Sequence, residues 1–335
     1  MRRVVVIVFV VMLAVLSVAA TLYISHLQNK RKRPVPLAGG TEIPETVQPT
    51  DLLKPPPAEA DTDTSPAAST AATPAREVIV YPDWVSGNDS VKDARPVTDS
   101  GGYVRPLWSP VGLDIVFTRA DGTGLYVTAP NKPDVRVLSS DPGVGRAPRW
   151  NIDGMSLHVR EPDGQYSNIM ITGEKYPAPP IFEKVFERDG VIYFQPDIDQ
   201  PPRRVSGSQD RFRSPVLSPD ETRVAYLGLQ TGLYLSPVDG SEAVSVGRGF
   251  NPSWLPDSSG IVYDIPTGDA NAIVDADLWY AAADGTERTN LTNTPGVMEV
   301  EPHVSMDGEW IAFSSGGTIY VGRFHRPARA VVPPR

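Results

Sequence analysis

Three aspartates crowd one short stretch of this chain: Asp269, Asp275 and Asp277 in PTGDANAIVDAD (266–277). Carboxylate oxygens gathered in a loop suit a hard divalent cation or an electrostatic contact with a partner. The spacing does not follow the D-x-[DN]-x-[DN]-G order of an EF-hand loop. The three residues are therefore read as a candidate binding loop, with no metal ion assigned.

Other chemistry has few participants. The histidines, His26, His158, His303 and His325, are scattered, and neither an H-E-x-x-H metal motif nor a G-x-S-x-G nucleophile elbow occurs. The chain has no cysteine, which removes disulfides, Cys-ligated zinc and thiol catalysis together. Carboxylate pairs that cleave glycosides converge in space rather than in sequence, so a polysaccharide hydrolase or lyase stays open as the alternative reading. Acidic residues outnumber basic ones, 40 to 31, for a net charge of −9. That balance argues against a nucleic-acid partner, which requires clustered Lys and Arg. The expectation is a protein that is not an enzyme, with no catalytic residue and no cofactor.

The elements that must hold the aspartate loop are repeats. RPLWSPVGLDIVFTR (105–119), APRWNIDGMSLHVRE (147–161), SPVLSPDETRVAYLG (214–228), NPSWLPDSSGIVYDI (251–265) and EPHVSMDGEWIAFSS (301–315) share one template. In each, Pro precedes by two positions a bulky apolar residue: Trp108, Trp150, Leu217, Trp254 or Val304. A polar turn and an apolar strand follow. A turn of Pro, Asp, Gly and Ser between such runs predicts a hairpin. A further strand follows each template: GLYVT (124–128), NIMIT (168–172), GLYLS (232–236), DLWYA (277–281) and TIYVG (318–322), each ahead of a short fourth strand. Between the second and third templates stands an incomplete unit, VIYFQ (191–195) with RRVS (203–206). EVIVYP (77–82) and ARPVT (94–98) form another half-unit, whose strands would close a ring.

Four short strands recurring about every 40 residues predict a β-propeller. The fold class is all-β. Six blades over 76–330 allow about 42 residues each, and seven is the alternative.

The turns WSPVG, WNIDG, LSPDE, WLPDS and VSMDG resemble the W-S-P-D-G turn of TolB-type (WD-like repeat) β-propeller proteins, and LWYAAADGTERTNLTN (278–293) is similar to that family's end-of-blade pattern. The resemblance covers 76–330. Val111 departs from it where Asp is expected, Leu217 and Val304 stand in place of Trp, and no α/β domain precedes the propeller. The resemblance implies that Trp108, Trp150 and Trp254 are structural, seated between blades, and that the setting is extracytoplasmic.

Ahead of the repeats, 4–24 reads VVVIVFVVMLAVLSVAATLYI, 21 residues without a charge. A helix of that length spans about 30 Å, the thickness of a bilayer core. Residues 1–29 are expected to form a retained membrane anchor, a single transmembrane helix; a cleaved signal peptide is the competing reading. Residues 30–75, with nine prolines between 34 and 75 and no aromatic residue in that stretch, are expected to be a disordered spacer. Arg2 and Arg3 precede the apolar run and Lys30, Arg31, Lys32 and Arg33 follow it, which favours a cytoplasmic C-terminal side. The acidic, proline-rich spacer and the family resemblance favour the periplasmic or extracellular side, and they are given the greater weight. The sequence thus describes a single-pass tethered propeller at the cell envelope, engaging a protein or glycan partner; a structural subunit of a larger membrane complex is a further alternative reading.

Overall fold

The computed structural model of the protein describes residues 90–112, 114–268 and 273–327. The expected transmembrane helix (4–24), the spacer (30–75) and EVIVYP lie outside the described residues. Among the described residues no helix is long and apolar enough to cross a membrane.

Strand β1 (Val91–Pro96) opens the described chain. Blade A follows with β2 (Tyr103–Trp108), β3 (Ile115–Arg119), β4 (Leu125–Ala129) and β5 (Lys132–Ser139). Blade B comprises β6 (Arg149–Trp150), β7 (Ser156–Arg160), β8 (Tyr166–Met170) and β9 (Lys175–Ala178). Blade C has three strands, β10 (Val185–Arg188), β11 (Val191–Phe194) and β12 (Arg203–Arg204). Blade D holds β13 (Phe212–Leu217), β14 (Arg223–Gly228), β15 (Gly232–Pro237) and β16 (Val244–Gly247). Blade E holds β17 (Phe250–Trp254), β18 (Gly260–Gly268), β19 (Ile273–Ala282) and β20 (Arg288–Asn290). Blade F holds β21 (Val300–Val304), β22 (Trp310–Ser315) and β23 (Thr318–Phe324).

Each sheet is an antiparallel meander, and in blade F the fourth place belongs to β1, giving the order β21-β22-β23-β1. Val91 faces Phe324 and Pro96 faces Tyr320. The first described strand therefore completes the last blade, which shuts the ring and removes an open edge. The protein is a six-bladed β-propeller. The closing strand begins three residues earlier than ARPVT suggested. The unit expected to be incomplete is blade C: its first strand is absent, and β10 takes the place of a second strand.

The template residues explain the local geometry. In the first strands of blades A, D, E and F, the residue before proline has positive φ: Arg105 at 56°, Ser214 at 52°, Asn251 at 50° and Glu301 at 56°. Each sits at a break in the pairing register, a β-bulge. Proline disfavours the right-handed helical region for its predecessor, and the bulge uses the left-handed alternative, a conformation that costs non-glycine residues about 1 kcal/mol or more. After the first strand, the turn aspartate caps its own loop. Asp153, Asp220, Asp257 and Asp307 accept from the N–H two residues on, at 2.9 to 3.1 Å.

The core lies between blades. Ile115, Phe117 and Trp108 of blade A pack with Ala312, Ile319 and Val321 of blade F. Val262, Leu278 and Tyr280 of blade E pack with Ile311, Phe313 and Tyr320 of blade F. Trp150 and Trp254 link neighbouring first strands: Trp150 Nε1 donates to the Leu107 carbonyl at 3.2 Å and Trp254 Nε1 to that of Val216 at 2.9 Å. The template tryptophans are therefore structural, and their interblade placement explains the repeat.

Candidate functional site

Blade E departs from its neighbours in its middle hairpin. β18 and β19 have 9 and 10 residues, whereas the matching strands of blades A, B and D have 5 or 6. The hairpin therefore rises from the face at which first strands begin. Near its tip Ile273 is 37% and Val274 61% exposed.

Of the three aspartates singled out in the sequence, Asp269 lies outside the described residues. Asp275 faces Thr267 and Asp277 faces Ile265 across the hairpin. Asp277 ties the hairpin to the end of β20 and the segment after it, accepting from Asn290 Nδ2 and from the Thr294 N–H, both at 3.0 Å. Asp275 Oδ1 is buried without a hydrogen-bond partner.

A third carboxylate, which sequence reasoning missed, joins them. Glu299 is completely buried, and neither of its carboxylate oxygens has a hydrogen-bond partner. Its backbone is fixed: Glu299 N donates to the Ala276 carbonyl at 2.8 Å, and Ala276 N to that of Val297 at 3.1 Å. Burial pushes the Glu299 carboxyl up to about 8, and the charges of Asp277 and Asp275 add to the rise. The hydroxyls of Thr292 and Thr294 oppose it from nearby. Among the described residues no group of three or more His, Asp or Glu side chains could hold a metal ion.

A second buried set links blades E, F and A across the roots of their first strands. Asp264 Oδ1 accepts from Asn251 Nδ2 at 2.8 Å and from the Glu301 N–H at 2.9 Å. Glu301 Oε2 in turn accepts from the Arg105 N–H at 2.7 Å, and Glu301 Oε1 lies 3.4 Å from Arg105 Nε. Each carboxylate thus satisfies the amide of the next blade's bulge, which offsets part of the strain stored there. Asp264 is 2% exposed; burial pushes its carboxyl up to about 7 and the Glu301 charge adds to this. Burial also raises Glu301, opposed by Arg105. Next in the seam, the Trp108 N–H donates to His303 Nδ1 at 3.3 Å. Burial pulls His303 down to about 4, so the ring stays neutral and accepting. His303 lies within β21.

A signal for Asp264 was present. Its register position is held by Thr118, Leu227 and Ser314 in blades A, D and F; only blade E places a carboxylate there, inside the apolar run IVYDI. Chemically, these groups hold protons and fix backbone amides from within the blades. Elsewhere, a groove between blades A and B is lined by Asp141, Glu161, Tyr166 and Lys175. Lys175 Nζ sits 2.8 Å from carboxylate oxygens of both Asp141 and Glu161, so its charge is already matched.

No protein-family model matches the sequence. No curated protein matches it either. Among solved structures, the chain is similar to an oligogalacturonate lyase in complex with manganese, at 12% identity and a TM-score of 0.42, covering 72% of this chain and 96% of that one. A protein described as TolB from Agrobacterium tumefaciens aligns at 18% identity and a TM-score of 0.32, over 64% of this chain and 69% of that one. A gluconolactonase from Xanthomonas campestris aligns at 15% identity and a TM-score of 0.46, over 70% and 91%.

Proposed function

We propose that the protein is a membrane-tethered binding module of the cell envelope, which engages a protein or glycan partner through the propeller face carrying the β18–β19 hairpin. The observation behind this reading is the hairpin itself. It is the long excursion from an otherwise regular set of blades, it exposes Ile273 and Val274 near its tip, and its root is fixed by Asp277 and Glu299. A rigid scaffold with one elaborated loop is the usual architecture of a recognition surface. The apolar run at 4–24 supports the tether, and the acidic proline-rich spacer supports an extracytoplasmic propeller.

The test replaces 268–273 with a two-residue Asn-Gly turn and compares co-purification from detergent-solubilised native membranes. An unchanged melting temperature with loss of the partner seen with the wild type supports the reading. A partner retained by the shortened protein would sink it. A second reading, turnover of a polysaccharide in the propeller channel, draws support from the neutral-range carboxyls Asp264 and Glu299. Release of reducing or unsaturated ends from glycan substrates, lost in Asp264→Asn and Glu299→Gln, would favour it over binding alone.

A further inference from the structure

The root of the long hairpin gathers hydrogen-bond acceptors that have no donors. Neither oxygen of the fully buried Glu299 carboxylate has a partner, and Asp275 Oδ1 is buried and unpartnered as well. Buried polar atoms are almost always paired, so three orphaned oxygens at one place require an explanation. They come from separate segments, β19 and the stretch that carries the chain from blade E to blade F. The two segments approach closely. Glu299 N donates at 2.8 Å to the carbonyl of Ala276, the residue between Asp275 and Asp277. The two charges that act most on the Glu299 carboxyl are those of Asp277 and Asp275, both negative. Among the described residues none of these three carboxylates forms an ion pair.

The surrounding frame is fixed and rich in oxygen. Thr292 Oγ1 accepts from the Leu278 N–H at 3.0 Å, and Thr294 Oγ1 donates to the Thr292 carbonyl at 3.5 Å. Thr292 is 2% and Thr294 8% exposed, and both hydroxyls stand near the Glu299 carboxyl. Val297 N donates to the Thr294 carbonyl at 3.2 Å, and Ala276 N to that of Val297 at 3.1 Å. The loop is thus closed on itself and on β19.

An ammonium or guanidinium group of a partner chain does not reach oxygens with no exposure. A compact ion does, by way of Asp275, whose side chain is only partly buried. Oxygen donors alone select a hard cation over zinc or copper. No three carboxylates among the described residues converge enough to hold a metal by themselves, so hydroxyl, carbonyl and water oxygens complete the shell. Calcium accepts such irregular shells of about six to eight oxygens, whereas magnesium demands a near-ideal octahedron.

We infer that a calcium ion binds at the root of the β18–β19 hairpin, between Glu299 and Asp275, with Thr292 and Thr294 supplying neutral oxygens. The ion joins β19 to the segment that leads into blade F. This site stands whatever the hairpin itself contacts.

The test titrates the chelator-treated, detergent-solubilised full chain with calcium chloride. Calorimetry shows one ion bound per chain, and about 1 mM calcium raises the melting temperature by at least about 3 °C. Amide exchange at 275–278 and 292–299 slows at least about tenfold with the ion, while that of blade B is unchanged. Glu299→Gln and Asp275→Asn each weaken binding at least about tenfold and remove the local protection. Asp275 is partly exposed, so its variant folds even where the buried amide of Glu299→Gln is not tolerated. No calcium-dependent rise in the wild type overturns the inference, in favour of a Glu299 carboxyl that keeps its proton. An equal rise with magnesium chloride overturns it in favour of charge screening over an acidic chain. A calcium response that survives in Asp275→Asn also overturns it, by placing the ion elsewhere.

Discussion

The arc from blade E through F to A and the seam between blades B and C are held together by different physics. In the first arc, apolar clusters fill both seams, and Asn251, Asp264, Glu301 and Arg105 run beneath them as a buried polar relay. In the second, among the described residues, no buried apolar cluster spans the seam. Blade C lacks a first strand, and the stretch before β10 is PPIFEK (179–184). Pro179 and Pro180 have no N–H to give a sheet, and Ile181 and Phe182 are each 37% exposed. An ion pair does cross to blade B, Arg149 with Glu183 at 2.7 Å, but both side chains are about half exposed. Such a pair contributes about 0–1 kcal/mol. A closed ring of repeats draws stability from each seam in turn, so one weak seam is tolerated where the joint between chain ends is strong.

Removing that joint has the largest expected effect. Deletion of 90–96 takes the fourth strand from blade F and exposes the edge of β23, at an expected cost of more than about 5 kcal/mol. Loss of a cooperative thermal transition would be the outcome; an unchanged transition would show that closure contributes little. Next comes a matched pair of truncations. Phe313→Ala, in a fully buried position of the strong arc, should cost about 3–5 kcal/mol in chemical denaturation. Phe182→Ala, in the half-exposed stretch before β10 at the weak seam, should cost less than about 1.5 kcal/mol. Equal costs would erase the contrast between the two regions.

The relay predicts a pH dependence. Asp264 has a folded pKa of about 7 against an ordinary 3.8, so its favourable contribution is complete below the ordinary value and is lost as pH rises towards 7. Glu299 behaves alike between 4.5 and about 8. His303 has the opposite sign: its folded pKa of about 4 lies below the ordinary 6.5, so its contribution is present above 6.5 and lost as pH falls to 4. Asp264→Asn keeps an acceptor for Asn251 and Glu301 and cannot ionise. It should raise stability by about 1–2 kcal/mol at pH 8 and change it little at pH 4. A variant less stable than wild type at pH 8 would mean that the Asp264 charge is needed where it stands. The smallest effect is expected at the weak seam: Arg149→Ala should shift stability by less than about 1 kcal/mol.

Much of the architecture was legible in the sequence because the template repeats its own physics. Pro sets the bulge, Asp caps the turn, and the residue two after Pro fills the interblade space, so five copies in register announced a propeller. The deficiency of blade C was visible as a missing template. The buried carboxylates were not legible. Glu299 and Glu301 stand in MEVEP, which reads as a solvated loop entering a strand; only the parallel approach of Ala276 to Met298 buries the first, and only the bulge of a neighbouring blade occupies the second. Asp275 and Asp277 were singled out for their density, yet Asp277 ties its hairpin to the following segment through contacts with Asn290 and Thr294 that local sequence does not encode.

The way β1 closes the ring has a mechanical consequence. A load applied between the Ser90 end of β1 and the hairpin tip on the far face runs along the strand axes, while the bonds joining β1 to β23 lie across it. Such a load shears the β1–β23 ladder, so that its bonds must give way together rather than being peeled apart one at a time. A propeller held from behind and pulled from in front would meet that force through its most resistant geometry.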